Sequence, residues 1–186
     1  MVSALEREIK LRFSSPAEAR AAVVATGASP LMGRRLQDDR LLDMPNGLLR
    51  DRGSVIRVRQ EPGRSFLTFK GPVRPGDKKV RDERETAVGD AQVLLAILEQ
   101  LGLRVFFRYQ KYREEYSSPD VIVAVDETPV GTFVEIEGGD RGISVMAEAL
   151  GRHQSDYVVE SYRGLYAEDC RVRGVPLADM LFDGQA

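Results

Sequence analysis

The stretch L-E-R-E-I-K-L-R-F, residues 5–13, alternates between apolar and charged positions. Successive side chains of a β-strand point to opposite faces of the sheet, so this alternation predicts a strand with one apolar and one charged face. At about 3.3 Å per residue, the charged face extends about 13 Å from Glu6 to Lys10. Its charged side chains are Glu6, Glu8, Lys10 and Arg12.

Charges spaced two residues apart return on most of the later predicted strands. On a single strand, such a face is the ordinary solvent-exposed face of an antiparallel sheet. Its repetition favours a closed sheet whose charged faces point together into a water-filled lumen. The groups that share a face are Arg57 with Arg59, Arg81 with Glu83 and Glu85, Lys111 with Arg113, and Glu135 with Glu137.

Turn and capping signals divide the rest of the chain into strands and helices. Ser15 is followed by a proline in the first turn and by Glu18 three residues on, which predicts the start of a helix. Mostly sequential strands with few helices predict an α+β domain built on an antiparallel sheet. We predict further strands at 31–43, 54–60, 65–70, 78–88, 104–116, 120–127 and 132–137, and helices at 16–26, 91–101, 140–151 and 160–168.

The composition limits the class of protein. The 186 residues carry a formal net charge of -2 although 30% of them are charged, so the basic excess typical of a nucleic-acid-binding protein is absent. No apolar run approaches the roughly 20 residues of a membrane span, and the N-terminal stretch lacks an apolar signal core. The single cysteine excludes an intramolecular disulfide. We therefore expect one cytoplasmic domain over residues 1–186, with no membrane or nucleic-acid partner.

The acidic side chains of the predicted lumen indicate a metal ion. Two carboxylates about 4 Å apart repel each other by about 4 kcal/mol at an effective dielectric constant of about 20, so a group of them favours a bound cation or raised pKa values. Oxygen ligands suit Mg²⁺ or Mn²⁺, whereas zinc prefers sulfur or imidazole, and the chain has one cysteine and one histidine. The candidate metal ligands are Glu6, Glu8, Asp126, Glu135 and Glu137.

The basic side chains of the same lumen indicate a phosphate ligand. They supply more positive charge than the acids need, and arginine forks and lysine ammonium groups are the usual partners of phosphate oxygens. Basic side chains combined with a metal ion held by carboxylates are typical of enzymes that transfer phosphoryl groups. The candidate phosphate-binding residues from this pattern are Lys10, Arg57, Arg59, Lys70, Lys111 and Arg113.

A series of short motifs resembles the CYTH superfamily, which includes class IV adenylate cyclases, thiamine triphosphatases and inorganic triphosphatases. The opening E-R-E-I-K is similar to the family's ExExK signature, and the later motifs follow in the family's order. The final motif, E-S-Y-R, resembles the class IV cyclase-like branch most. The motifs are E-R-E-I-K (6–10), I-R-V-R (56–59), T-F-K-G-P (68–72), R-D-E-R-E (81–85), Y-Q-K-Y-R (109–113), V-D-E-T-P (125–129), G-T-F-V-E-I-E (131–137) and E-S-Y-R (160–163).

The resemblance implies a triphosphate tunnel: an eight-stranded antiparallel β-barrel with flanking helices. It implies that the inward acids named above hold Mg²⁺ or Mn²⁺ and that the inward bases hold a triphosphate or a nucleoside triphosphate. The resemblance adds Arg81 and Arg163 to the candidate phosphate-binding residues. It also implies that the protein forms a homodimer. The candidate catalytic residues are Glu83, Glu85 and Lys111, with the division of roles among them open.

Three functions follow from these expectations. The first is metal-dependent hydrolysis of a triphosphate, which the presence of both Glu135 and Glu137 favours because related cyclases can lack the second acid. The second is conversion of ATP to cyclic AMP and pyrophosphate by a class IV adenylate cyclase. Leu41 and Leu42 stand where the family often has aromatic residues, so a base-stacking role there is not expected. The third is a non-catalytic module that binds polyphosphate or a nucleotide.

Overall fold

Eight antiparallel strands close into a barrel in the computed structural model, which describes residues 4–184. The strands are β1 (Ala4–Phe13), β2 (Ser29–Asp43), β3 (Val55–Glu61), β4 (Arg64–Lys70), β5 (Lys79–Val88), β6 (Arg104–Ser118), β7 (Val121–Thr128) and β8 (Gly131–Gly138). Their order around the barrel is β1-β5-β4-β3-β2-β6-β7-β8, and β8 pairs with β1 to close it. The predicted eight-stranded antiparallel barrel with flanking helices is confirmed. The ends of the expected 1–186 domain, residues 1–3 and 185–186, lie outside the described residues.

Five α-helices and one short 3₁₀-helix flank the strands within residues 4–184. The start of the first helix is capped as predicted, because the Ser15 hydroxyl accepts a hydrogen bond from the Glu18 amide at 3.2 Å. The Asp90 carboxylate caps the third helix in the same way and accepts from the amides of Gln92 and Val93 at 2.8 and 3.0 Å. The helices are α1 (Pro16–Ala25), α2 (Leu48–Asp51), α3 (Ala91–Gln100), α4 (Asp140–Ala149), the 3₁₀-helix (Gln154–Asp156) and α5 (Tyr162–Arg173).

Two helices differ from the sequence-based expectation. The single turn α2 was not predicted, since four residues show no helical periodicity; the Asp43 carboxylate holds it by accepting from the Leu49 and Arg50 amides at 2.8 and 3.1 Å. Helix α5 extends to Arg173, beyond the predicted end at 168, and ends at Gly174 with φ 70°. Its second half is mostly polar and charged, so it lacks the apolar spacing on which the prediction depended.

The outer face of the barrel is covered by two separate apolar cores. Helices α1 and α4 pack on β1, β7 and β8, where Ile9, Val134 and Ile143 are fully buried. Helix α3 packs across β2 and β3 over Leu42 and Val58. These outward residues alternate with the charged residues of the same strands, as the two-residue period requires.

A third apolar cluster lies on the lumen side. Leu41, Phe107 and Phe133 share their strand faces with charged lumen residues and pack with Tyr162 of α5 and Met180 of the C-terminal segment. Helix α5 therefore fills one part of the barrel interior, and the rest is left to charged groups. None of the helices within the described part of the chain is long and apolar enough to cross a membrane.

Candidate triphosphate site

A cavity of about 370 Å³ lies inside the barrel and is lined mainly by charged side chains. The lining residues come from β1 to β6, from β8, and from helices α2 and α5. Every predicted site residue except Asp126 contributes to this lining. The predicted residues that line the cavity are Glu6, Glu8, Lys10, Arg57, Arg59, Lys70, Arg81, Glu83, Glu85, Lys111, Arg113, Glu135, Glu137 and Arg163.

The two acids of β1 are each bound by two cations. Lys70 Nζ lies 2.6 Å from Glu6 Oε1, and Arg81 Nε lies 3.1 Å from Glu6 Oε2. Both Lys10 Nζ and Lys79 Nζ bind Glu8 Oε1, at 2.9 and 2.7 Å. Burial favours the neutral form of Glu8, but the two ammonium groups outweigh burial and hold its pKa well below the usual value. Glu8 is therefore ionised and already neutralised by the protein.

Asp126 lies behind the lining and organises two of the predicted phosphate-binding residues. It is 0% exposed, and Lys111 Nζ and Arg113 Nε donate to it at 2.8 and 2.7 Å. The Tyr162 hydroxyl of α5 donates to the same carboxylate at 2.6 Å. Arg113 Nη2 also reaches Glu135 Oε1 at 2.6 Å. Asp126 thus positions the basic side chains beside the cavity and has its own oxygens occupied by protein donors.

The buried position of Lys111 changes its protonation. Burial, assisted by the neighbouring Arg113 charge, lowers the pKa of Lys111 to about 8 even though Asp126 opposes the shift. Lys79 behaves similarly, because burial lowers its pKa to about 8 despite its contact with Glu8. Two lysines of the cavity therefore titrate close to neutral pH.

The arginines of β3 meet an acid that sequence reasoning missed. Arg59 forms a two-bond fork with Asp39 of β2, with Nε to Oδ1 at 2.8 Å and Nη2 to Oδ2 at 2.9 Å. Arg57 donates through Nη2 to Thr68 at 3.2 Å and to Glu85 at 3.3 Å. Within residues 4–184, the buried Nε atoms of Arg57 and Arg163 have no hydrogen-bond acceptor. Both side chains line the cavity, and their buried Nε atoms are donors that the protein itself leaves without an acceptor.

Glu137 differs from the other lumen acids because no hydrogen bond or ion pair from residues 4–184 reaches its carboxylate. Its Cα is paired in register with that of Glu8 on the neighbouring strand, and side chains of such pairs lie close together on one face. Glu137 keeps accessible surface toward the lumen, yet burial together with the carboxylates of Glu6, Glu135 and Glu8 raises its pKa to about 7. This crowding of carboxylates would be relieved by a cation.

The donor set fits a hard divalent cation in its chemistry, since the acids of β1 and β8 offer carboxylate oxygens alone. In the part of the chain that the structure describes, however, no group of three or more His, Cys, Asp or Glu side chains is arranged to hold a metal ion. The contacts of Glu6 and Glu8 give the reason, because lysine and arginine side chains already bind these acids. A metal ion would have to compete with Lys79 and Lys10 for Glu8.

Several contributors to the site were not among the predicted site residues. Lys79 and Tyr109 could have been found by extending the two-residue alternation back from Arg81 and Lys111. Asp39 could be recognised only from the register, which places it beside Arg59. Tyr162 lies in the E-S-Y-R motif, but its contact with Asp126 could not be predicted, because that contact depends on where α5 packs against the barrel.

One wall of the cavity is apolar. Leu41, Val55 and Phe106 line it beside the aromatic ring of Tyr162. The guanidinium carbon of Arg163 lies 5.5 Å from the centre of the Phe106 ring, within range of a cation–π contact. The cavity therefore combines a large charged region with a smaller apolar and aromatic one.

The fold and this lumen define a closed antiparallel barrel that gathers basic and acidic side chains around one interior cavity. The family model for the CYTH domain matches residues 4–149 of the chain. The protein therefore belongs to the CYTH family, and the resemblance drawn from the motifs is confirmed.

Similar proteins carry cyclase-like names. A protein of Methanocaldococcus jannaschii named "Putative adenylate cyclase" is 29% identical over 105 residues, which are 56% of this chain and 60% of that protein. The chain thus matches less than two thirds of that relative's length.

Solved structures share the fold. One from Vibrio parahaemolyticus, described in the same words, has a TM-score of 0.76 and 17% identity, and the match covers 89% of this chain and 99% of that one. HpAC1 from Hippeastrum, described as an adenylyl cyclase candidate with a dominant triphosphatase activity, has a TM-score of 0.65 and 19% identity over 92% of this chain and 97% of that one.

Proposed function

We propose that this protein is a divalent-metal-dependent enzyme that hydrolyses a triphosphate inside its barrel. The observation that carries the proposal is the cluster of basic side chains around one cavity, in which the buried Nε of Arg57 has no hydrogen-bond acceptor within residues 4–184. A buried donor without an acceptor is unfavourable, and a phosphate oxygen would satisfy it.

Substrate binding is assigned to the basic side chains of the cavity. Arg57 and Arg59 would bind phosphate oxygens from β3, with Asp39 fixing the Arg59 fork in place. Lys111 and Arg113 would bind from β6, positioned by Asp126. Arg163 would offer its unused Nε from the apolar wall. The remaining proposed phosphate ligands are Lys10, Lys70 and Arg81.

The acids have two proposed roles. Glu6, Glu8, Glu135 and Glu137 would hold Mg²⁺ or Mn²⁺, and Asp126 would support that set from behind through Arg113 and Glu135. The chemistry that such an ion supplies when bound is neutralisation of the charge on the phosphoryl oxygens. Glu83 and Glu85 are the proposed acid–base residues, with Lys111 stabilising charge on the phosphoryl group.

In the proposed reaction, a water oxygen forms a bond to the terminal phosphorus while the bond from that phosphorus to the bridging oxygen breaks. The released groups are orthophosphate and the shortened phosphate chain, and the carboxylate of Glu83 or Glu85 accepts the proton of the water. Glu137 supports a metal-dependent reaction, because the crowded carboxylates that raise its pKa to about 7 would be relieved by a bound cation.

A second candidate is a class IV adenylate cyclase. It is supported by the apolar wall of Leu41, Val55 and Phe106, which could accept the organic part of a nucleotide. The cyclase-like names of the relatives agree with this candidate. A non-catalytic anion-binding module is disfavoured, since carboxylates around the ligand weaken anion affinity unless a metal intervenes.

Product analysis distinguishes these candidates. The purified protein would be incubated with Mg²⁺ or Mn²⁺ and, in parallel, with tripolyphosphate, ATP or thiamine triphosphate, and orthophosphate, pyrophosphate and cyclic AMP would be measured separately. Orthophosphate release supports hydrolysis. Pyrophosphate that appears in step with cyclic AMP establishes the cyclase instead, and tight ligand binding without any product supports the binding module.

A further inference from the structure

Glu8 lies in the middle of a row of register partners that crosses β5, β1 and β8. Its Cα pairs with that of Lys79 on β5 and with that of Glu137 on β8. Side chains of register partners lie close together on one face of a sheet, and all three of these line the cavity. Glu8 therefore has an ammonium group on one side and a second carboxylate on the other.

The two neighbours of Glu8 differ in how their charge is compensated. Lys79 Nζ lies 2.7 Å from Glu8 Oε1, and both side chains are buried. Glu137, by contrast, is reached by no ion pair from residues 4–184 and is crowded by other carboxylates. Since Glu8 and Glu137 are both proposed ligands of the divalent cation, a cation that relieves Glu137 draws on Glu8 as well. Its charge then competes with that of Lys79.

Of the two lysines on Glu8, Lys79 is the one that can be displaced. Lys10 Nζ also lies 3.4 Å from Glu135 Oε2 and 5.2 Å from the centre of the Tyr162 ring, and it keeps these contacts if Glu8 turns to a cation. Within residues 4–184, the ion pairs of Lys79 are limited to the one with Glu8. A buried ammonium group without a counter-charge is unfavourable, so a displaced Lys79 needs another anion.

We propose that Lys79 is a displaceable cation: it neutralises Glu8 until the lumen acids take a divalent metal ion, and its released ammonium group then binds a phosphate oxygen of the substrate. This inference rests on the proposed function. Lys79 shares its strand face with Arg81, two residues on, and both line the cavity, so the released group stays in the lumen that holds the triphosphate. Metal ion and triphosphate consequently strengthen each other's binding, because the first frees a cation that the second uses.

Metal binding without triphosphate tests the first half of the proposal. Mn²⁺ is titrated into the full chain, and free Mn²⁺ is measured by electron paramagnetic resonance. Lys79→Met removes the competing ammonium group and should tighten Mn²⁺ binding by about fivefold or more relative to the wild type. Lys79→Gln removes the same charge with a polar side chain and should give the same result. Lys79 variants that bind Mn²⁺ no more tightly than the wild type overturn the proposal.

The matched control is Lys78→Met, which removes the same charge from the preceding residue. Lys78 is 7% exposed, close to the 6% of Lys79, but its Nζ lies 3.2 Å from both Asp77 and Asp140, outside the cavity lining. Lys78→Met should therefore bind Mn²⁺ like the wild type, and tightening equal to that of Lys79→Met overturns the proposal. Because no triphosphate is present, a failure of triphosphate hydrolysis leaves this measurement unaffected.

Binding of tripolyphosphate without metal tests the second half. Glu8→Gln removes the charge that holds Lys79 and so imitates its release. In a double-mutant cycle, Lys79→Met should weaken tripolyphosphate binding about fivefold or more beyond its effect in the wild type when Glu8→Gln is also present, because only then is the ammonium group free for phosphate. Isothermal titration of the wild type, both single variants and the double variant measures the two effects. Equal effects in the two backgrounds overturn the phosphate-binding role of Lys79.

Discussion

Glu8 and Glu137 stand opposite each other on neighbouring strands of the barrel, as register partners facing the lumen. They differ in their surroundings: Glu8 is bound by Lys10 and Lys79, whereas no hydrogen bond or ion pair from residues 4–184 reaches Glu137. The pKa of Glu8 is consequently held low and that of Glu137 is raised to about 7. Glu137 therefore favours a proton or a cation, and so does Glu6, whose pKa is also raised by burial.

The first prediction concerns stability against pH. A carboxyl whose pKa is raised in the folded state contributes stability that is fully present below its unfolded pKa, and this contribution is lost as pH rises through the folded pKa. For Glu137 the window runs from about 4.5 to about 7, so the melting temperature should fall over this window. The fall should be smaller in Glu137→Gln, and Mg²⁺ at neutral pH should restore wild-type stability more than that of the variant. If the melting temperatures of the two proteins change equally with pH, the raised pKa of Glu137 is contradicted.

The second prediction concerns the Arg59 fork. Arg59→Ala removes the guanidinium charge that Asp39 holds beside the cavity and should raise KM for the triphosphate by about tenfold or more, while Arg57, whose Nε lies 3.8 Å from Asp39 Oδ1, still faces that carboxylate. Arg59→Lys keeps the charge but not the two-bond fork, so its KM should lie between the KM of the wild type and that of Arg59→Ala. The control is Arg84→Ala, an exposed position on the opposite face of β5. If steady-state kinetics give Arg84→Ala a KM as high as that of Arg59→Ala, the phosphate-binding role of Arg59 is refuted.

The third prediction concerns the contact between α5 and the barrel. Tyr162→Phe removes a buried hydrogen bond to the charged Asp126 and should lower the free energy of unfolding by about 1.5–3 kcal/mol in urea denaturation. Tyr166→Phe on the same helix is the control, because the Tyr166 hydroxyl makes a longer bond of 3.3 Å to the exposed Asp179 carbonyl. Equal stability losses in the two variants would show that the Asp126 bond is not what anchors α5.

The fourth prediction concerns Lys111. Its ammonium form is the one that binds phosphate, so affinity should decline as pH rises through about 8, the lowered pKa of Lys111, or somewhat higher once an anion is bound. Lys111→Arg stays charged and should remove most of this decline. Lys79 also has a pKa of about 8 but contacts Glu8, so Lys79→Arg should retain the decline. Isothermal titration with tripolyphosphate between about pH 7 and about pH 9.5 makes the comparison, and a decline that persists in Lys111→Arg argues against the assignment.

Much of the barrel could be predicted from its two-residue alternation. The pattern in residues 5–13 separates Ile9 and Leu11, which pack under α1 and α4, from Glu6 and Glu8, which face the lumen. Helix α2 could not be predicted in this way, because one turn has no periodicity and its stability comes from hydrogen bonds to a single carboxylate.

The pairing of charges inside the lumen was harder to predict. The two-residue alternation assigns each side chain to a face of its strand, but the partner of Arg59 depends on how β2 and β3 are aligned. The position of Asp126 behind the cavity lining depends on the donors around it. The two-residue alternation of β5 was not followed back to Lys79. The carboxylates of β1 were therefore expected to bind a metal ion, without an ammonium group that competes for Glu8.

The most direct test of the proposed function is orthophosphate release from tripolyphosphate, measured with and without Mg²⁺ or Mn²⁺ for the wild type and for Glu8→Gln. We expect metal-dependent release by the wild type and a loss of turnover of roughly a hundredfold or more in Glu8→Gln, with triphosphate binding largely retained. Release at the wild-type rate by Glu8→Gln, or no release by the wild type with either metal, would contradict triphosphate hydrolysis in this lumen.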